Sequence, residues 1–563
     1  MAEAVHGTAT GRACPAFFME VEWRWTQGRG GFADRRLIAS RQNPSPMSGI
    51  SALSTTSAAQ LLGTVSAATE TNAAATSVLT DVGTAGITTA ASATTTQVTL
   101  GSSSALSLTY DKPVVLNSSR LAWASESNDD LSTLLGANLQ AASTGSPATL
   151  LKGLGALLIN QVGSGQDYRQ SVAAYSSTDA SSKTAATGAL QQVQNAANTV
   201  SLSLRTVSGK QVNISIAFGS GDDGLAKGLS VQVHTDGKLT ADEQAAIAKL
   251  SDGFEKTLKS IGNADSGDGS GAVDLSGLVG FDTTQLASVD LNFRASAKSP
   301  LTSVDFHADL TSRKFSMSGL TGQVSLAVDL SNPATWGSED QRQQSIAKYL
   351  SQFDAANQRA QSNGKLMLQF KTAFSQLQSA YPPKSLSGIN QATTPNSREI
   401  SLLTGLADFK AQIGGDFDDS GPGKVTTMAG HMDYRVSQST VIRGLGRDTS
   451  YSLGQDQGTG LTSDYVRSRN GAMLDTSTGN YDVFHVRDES SINVSIAYAD
   501  GKLLSATVTS SVQQFLEYIK LVDHKAEDKK QTPSNSLSVD DVSGRLLSLL
   551  SPTTDGQSSA TAA

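Results

Sequence analysis

The feature that most constrains the fold is a run of strict alternation, "VSLSLRTVSGKQVNISIAF", beginning at residue 200. Successive side chains of a strand point to opposite faces, so period two marks a strand with one buried side. Leu202, Leu204, Val212, Ile214, Ile216 and Phe218 then share a face, and Ser208-Gly209-Lys210 supplies the turn of a hairpin. The pattern returns late in the chain, where "INVSIAY" at 492–498 matches "VNISIAF" at 212–218 at four of seven positions. An Arg precedes each (Arg487, Arg205); chance convergence of two amphipathic strands explains the match, and a duplicated sheet module is the alternative.

Between these stretches "ASVDLNFRAS", "TSVDFHADL" and "GQVSLAVDL" read as further strands. Amphipathic helices follow, with Ile346, Leu350 and Phe353 lining one, and Leu366, Phe370, Phe374, Leu377 and Tyr381 the next. "REISLLTGLADFKAQI" reads as a third, lined by Leu403, Leu406 and Ile413. Strands, then helices, then strands imply an α+β fold: antiparallel β-sheets packed with amphipathic helices, preceded by a disordered Ser/Thr/Ala-rich N-terminal region.

The expected organisation follows. Residues 1–46 hold the only Cys, Cys14, two of the four Trp, six Arg and no Lys, and read as a mistranslated or disordered leader. Residues 47–120 are low-complexity and too polar to offset the entropy of ordering. A helical segment occupies 121–199, with "TLLKGLGALLINQV" as a buried helix. β-Hairpins with a capped helix (about 240–261) fill 200–335, and a helical segment fills 336–415. An antiparallel β region spans 416–530, and "DHKAEDKK" leads into a C-terminal helix, "GRLLSLL", and a disordered tail at 531–563.

Composition excludes several functions. With 43 basic and 51 acidic residues the net charge is −8, so no nucleic-acid partner is expected. One cysteine excludes an intrachain disulfide framework. No apolar run approaches the ~20 residues of a membrane span. "GLGALL" at 153–158 lacks the third glycine of a dinucleotide fingerprint and follows no strand. "SGPGKV" lacks the spacing and hydroxyl of a phosphate-binding loop. No catalytic residue set and no cofactor is expected.

Three acidic loops are calcium candidates. In "HTDGKLTADE", Asp236, Gly237 and Glu243 fit positions five, six and twelve of an EF-hand loop, but positions one and three fall on Gln232 and His234, without the carboxylates a hard cation requires. A turn at Asp236-Gly237 and a capping box from Thr240 to Glu243 explain the same residues. Asp416, Asp418 and Ser420 form the second loop, and Asp265, Asp268 and Asp274 the third. Six histidines are scattered. His431 has Asp433 two residues on, on one strand face, an acid–base candidate for a hydrolase if a pocket joined them to Arg435 or Arg443.

The stretch from 224 to 292, "GLSVQV…DGKLTADEQAAIAKL…F" followed by "GFDTTQLASVDLNF", resembles an uncharacterised proteobacterial protein family in which a strand, an acidic turn and a capped helix precede a similar segment. The likeness continues through "VSLAVDLSNPATWGS", "YLSQFDAA", "LLTGLADFKAQI" and "YRVSQST". Some members are labelled lactate dehydrogenase, which these residues do not support, since no nucleotide fingerprint and no βαβ alternation is present. The expected function is a non-enzymatic structural or interaction protein, exported or surface-associated, with a protein partner or self-association. A hydrolase with its site in the C-terminal sheet and a calcium-stabilised module are the alternatives. A cytoplasmic location and export without a cleavable signal peptide both fit.

Overall fold

Alternation at 200–218 becomes a hairpin, and the same rule builds most of the chain. A computed structural model describes residues 115–116 and 120–548, apart from 143–145, 176–181, 222–225, 266–271, 363, 385–390 and 421–422. All of these belong to the compact unit Ser103–Ala563. The expected leader, most of the expected low-complexity segment and the end of the expected tail lie outside the described residues.

In chain order the elements are β1 (Val115–Leu116), β2 (Leu121–Trp123), α1 (Asp130–Ala141), α2 (Pro147–Leu150), α3 (Leu154–Gly163), β3 (Tyr168–Ala174) and α4 (Ser182–Gln194). Then come β4 (Asn198–Thr206), β5 (Gln211–Ser220), β6 (Lys227–Thr235), α5 (Ala241–Ala248), α6 (Ser251–Asp265) and α7 (Ser276–Val279). Strands β7 (Leu286–Arg294), β8 (Leu301–Asp309), β9 (Ser312–Gly319) and β10 (Gly322–Asp329) precede α8 (Glu339–Ala360), α9 (Gly364–Ser379) and α10 (Ser397–Ser401). The chain continues through β11 (Asp408–Asp418), β12 (Met428–Gly446), β13 (Ser450–Ser468), β14 (Tyr481–Ala499), β15 (Lys502–Val522), β16 (Lys525–Asp541) and α11 (Ser543–Ser548).

These strands form one sheet in the order β1-β2-β3-β6-β5-β4-β7 and then sequentially to β16. Its ladders are antiparallel, as the alternation implied. Only the connections through α4 and through α5–α7 skip strands, so most neighbours in the sheet are neighbours in sequence.

One face of each central strand is buried. Leu202, Leu204, Val212, Ile214, Ile216 and Phe218 are all inside, as the sequence indicated. Phe254, Leu258 and Ile261 of α6 join them in a continuous core. Further along, Tyr349 and Phe353 of α8 and Phe370 and Phe374 of α9 pack edge-on with Phe409 of β11 and Tyr434 of β12. Full burial of each such ring contributes about 1.5–3 kcal/mol. At the β2–β3–β6 end α4 covers the opposite face, through Ala186, Leu190 and Val193 against Ala122 and Ala173. A Cβ at Gly228 would lie 2.6 Å from a Val193 methyl, so glycine admits that helix.

The "GLGALL" stretch has a packing role. A Cβ at Gly155 would sit 2.6 Å from the Glu255 nitrogen, so the glycine allows α3 and α6 to touch through their backbones. Glu255 then accepts the N–H groups of Gly153 and Gly155, at 2.7 and 2.9 Å, filling the helix start with a carboxylate.

Three expectations change. The helix expected across 398–413 stops at Ser401, and 408–418 is strand β11. Gly405 adopts φ +71°, breaking the helix, after which Phe409, Ala411 and Ile413 are buried at every second position. Second, β16 runs to Asp541, so "DHKAEDKK" is the β15–β16 turn and the start of a strand instead of a linker to the last helix. The region 121–199 also contains two short sheet strands, β2 and β3. The repeated motif falls in different settings: "VNISIAF" is part of β5 in a hairpin, whereas "INVSIAY" is in the second half of the 19-residue β14, which already contains Arg487.

Short α10 is pinned by a buried ion pair. Asn396 and Glu399 form its capping box, and the fully buried Glu399 receives Arg447 from the β12–β13 turn, with Nε at 2.9 Å from Oε1. Arg447 also donates to the Thr394 carbonyl and lies over the Tyr451 ring, 4.6 Å from its centroid. Five residues cannot sustain a helix alone. Arg447→Ala, which leaves a buried carboxylate without its cation, is expected to lower stability by about 3–5 kcal/mol in urea unfolding.

Candidate functional site

The outer face of β11–β16 is where the sequence placed its acid–base candidate, and strand register builds a row there. Residues directly opposite one another run Asp416, His431, Asp464, His485, Glu517, Gln531 across six consecutive strands. Facing positions in an antiparallel pair share a face, so acids and imidazoles alternate along one line.

The contacts are close. His431 places Nδ1 2.6 Å from Asp416 and Nε2 3.2 Å from Asp433. His485 Nδ1 is 2.5 Å from Asp464, whose two oxygens also accept from Arg487 at 2.8 and 2.9 Å. Glu517 accepts from Gln531 at 2.6 Å and pairs with Lys529 at 3.0 Å. The same device recurs at β7–β8, where His307 lies 2.6 Å from Asp290, directly opposite, and 3.0 Å from Asp309, two residues on. His234 pairs with Asp167 at 2.9 Å.

Protonation follows from these partners. Hydrogen bonding to Asp416 raises the His431 imidazole above its ordinary value, against some desolvation. Both ring nitrogens face carboxylates, a geometry that favours the protonated ring. His307 is pushed up to about 9, chiefly by Asp290 and then by Asp309. Partial burial disfavours the charge of Asp464, but His485 and Arg487 offset it and hold the carboxyl below the usual range.

Beside the row lies an open depression of about 600 Å³, lined among others by Asp433, Arg435, Gly460, Arg487, Glu489 and Phe515. Gly460 is one of its lining residues. A Cβ there would lie 2.8 Å from the Arg435 Nε, so only glycine lets that guanidinium cross β13 toward Glu489 on β14, 3.6 Å away. The depression includes Asp433 and Arg435, but neither His431 nor Arg443 lines it.

The calcium candidates are placed separately. Asp236 begins the turn after β6, where Gly237 has φ +79°. Glu243 completes the capping box with Thr240, and its buried carboxylate also accepts from Ser208 at 2.5 Å and pairs with Lys210 at 3.1 Å. Burial opposes its charge, yet these donors hold the Glu243 carboxyl down at about 2. Asp416 is taken by His431, and Asp418 accepts the N–H and hydroxyl of Ser420. Asp274 accepts from Ser276 and Gln376, and Asp268 lies outside the described residues. Among the described residues no group of three or more His, Cys, Asp or Glu is arranged to hold a metal ion, and no helix is long and apolar enough to cross a membrane.

Sequence reasoning missed Asp464, His485, Arg487, Glu489, Gly460 and Phe515. The signals available were "SDYVRS" and "FHVRDE", charged residues at alternate positions of strands. Their mutual register was not readable, because long strands separate them. No protein-family model, curated protein or solved structure matches the chain.

Two pH dependences follow. Because the His307 pKa is raised on folding, its contribution is fully present below its ordinary value near 6.5 and fades as pH rises through about 9. The imidazole carbon shifts of His307 are expected to titrate near that upper value, and Asp290→Asn should bring the midpoint down toward the ordinary one. Glu243 has a depressed pKa, so its contribution is present above the ordinary 4.5 and is lost as pH falls toward about 2. Thermal melts of Glu243→Gln and the parent should therefore differ most at neutral pH and converge in acid.

Proposed function

We propose that this is a non-enzymatic interaction protein that pairs with a second copy of itself along the β16 edge. The observation that carries this reading is β16 itself. It is 17 residues long, exposed at every position, and partnered in the sheet on one side only. Such a strand presents unused backbone donors and acceptors and is a template for strand addition.

Its charge pattern is self-complementary. Lys529 and Lys530 lie in the first half, and Asp540 and Asp541 end the strand. A twofold antiparallel pairing centred on Asn535 sets Lys530 against Asp540 of the second copy, and Lys529, which also pairs with Glu517 of its own chain, against Asp541. It also brings the exposed Leu537 of one copy to Pro533 of the other. Closed twofold symmetry uses one patch twice, which limits growth to a dimer. Pro533 lacks an N–H, so one donor per copy is missing from such a ladder.

The state of His431 supports this reading over a hydrolase. Both nitrogens of the His431 ring are engaged by Asp416 and Asp433, and the ring stands outside the depression.

Sedimentation velocity over a wide concentration range is the test. A dimer that dissociates on dilution and weakens with salt is expected. Lys529→Glu with Lys530→Glu should abolish it, and adding Asp540→Lys with Asp541→Lys should restore it. A monomer at every concentration, or a dimer indifferent to both charge changes, would overturn the proposal.

A further inference from the structure

We infer that the depression on the outer face of β12–β15 binds a neutral, polyhydroxylated ligand of the saccharide class. Its volume, about 600 Å³, lies within the ordinary range for small-ligand sites. The lining chemistry narrows the class. Asp433, Glu489, Arg435 and Arg487 present planar groups with several donors and acceptors each, and Gln412, Gln513 and Asn535 add amides. A ring of hydroxyls, each both donor and acceptor, is the partner such a set satisfies.

Charge argues against an anionic ligand. Arg435 already faces Glu489 at 3.6 Å, and Arg487 is held by both oxygens of Asp464 at 2.8 and 2.9 Å. Neither guanidinium offers an uncompensated charge to phosphate or carboxylate. An apolar ligand is equally unsuited, because burying these paired ions without hydrogen bonds would be costly.

One apolar platform is present. Phe515 lies directly opposite Arg487 on one side and Pro533 on the other, and its half-buried ring borders the depression. A flat ring beside planar polar groups suits a pyranose, whose C–H face is apolar and whose edge is polar. The existing ion pairs hold the polar groups in place before binding, which lowers the ordering cost.

Affinity electrophoresis of the full chain in gels containing single neutral polysaccharides is the test, with short oligosaccharides of the same units as competitors. Retardation by at least one neutral polysaccharide is expected. Relief by the competitors would support recognition within a chain, and binding of the short oligosaccharides alone would support recognition of chain ends. Phe515→Ala should weaken binding about tenfold. Glu489→Gln, which keeps shape but alters hydrogen bonding, should weaken it without shifting the melting temperature. These substitutions leave the β16 charges intact, so this result and the dimer result stand apart. Failure of every neutral saccharide to bind, retention only by acidic polysaccharide or inorganic phosphate, retention by a peptide ligand instead, or equal binding by both variants would overturn the inference.

Discussion

The structure depends on the burial of one face of a single antiparallel sheet beneath its helices. Phe353, Phe370 and Phe374 on α8 and α9 meet Phe409 and Tyr434 from the strands below, and α6 does the same for β4–β8 through Phe254, Leu258 and Ile261. Every strand that contributes to this core does so at alternate positions, so its remaining residues are committed to the other face. Burial also specifies register, because a slip by one residue would send each of those rings into water.

The outer row follows from that commitment. Once Met432, Tyr434 and Val436 face inward, His431, Asp433 and Arg435 must face outward. The same holds for Asp464 beside the buried Ser463 and Tyr465, and for His485 between Phe484 and Val486. Charges that must stand on a sheet surface are stable when opposite signs face each other. In the row each imidazole faces carboxylates, His431 opposite Asp416 and Asp464 and His485 opposite Asp464 and Glu517. Exposed pairs of this kind contribute modest energy, and their larger effect is to penalise other registers and to hold side chains still around the depression. Gly460 interrupts a neighbouring row, and the Arg435 guanidinium lies where its side chain would stand.

Beyond the helices the balance changes. The core contacts of β15 are confined to its two ends, with Leu516 and Tyr518 against the main cluster and Leu503 and Val508 against a smaller one built on Tyr451, Leu453 and Ile496. No residue of β16 is buried. The last strand is held by its ladder with β15 and by pairs such as Lys529 with Glu517. A strand without a core contact, carrying Pro533 and clustered charge, has the features that limit indiscriminate edge pairing while permitting a partner of matching charge.

The sequence by itself determined what is local. Period two at 200–218 placed six core residues correctly, Thr240 and Glu243 specified a cap that the structure reproduces bond for bond, and the stripes through Phe353 and Phe374 located α8 and α9. These follow from spacing along a few turns or one strand, where geometry fixes which side chains share a face. Tertiary structure decided the rest. Phe409, Ala411 and Ile413 alternate in a strand that pairs with β10 and β12 on its two sides, after Gly405 has turned the chain away from α10. Likewise "KAEDKKQTPSNSLSVDD" has little apolar alternation to announce β16, with Leu537 and Val539 both exposed, since its partner lies on one edge and no core covers it. The Asp–His row and the depression were illegible for the same reason: they join residues from Asp416 to Gln531, and their meeting depends on the register of five ladders at once.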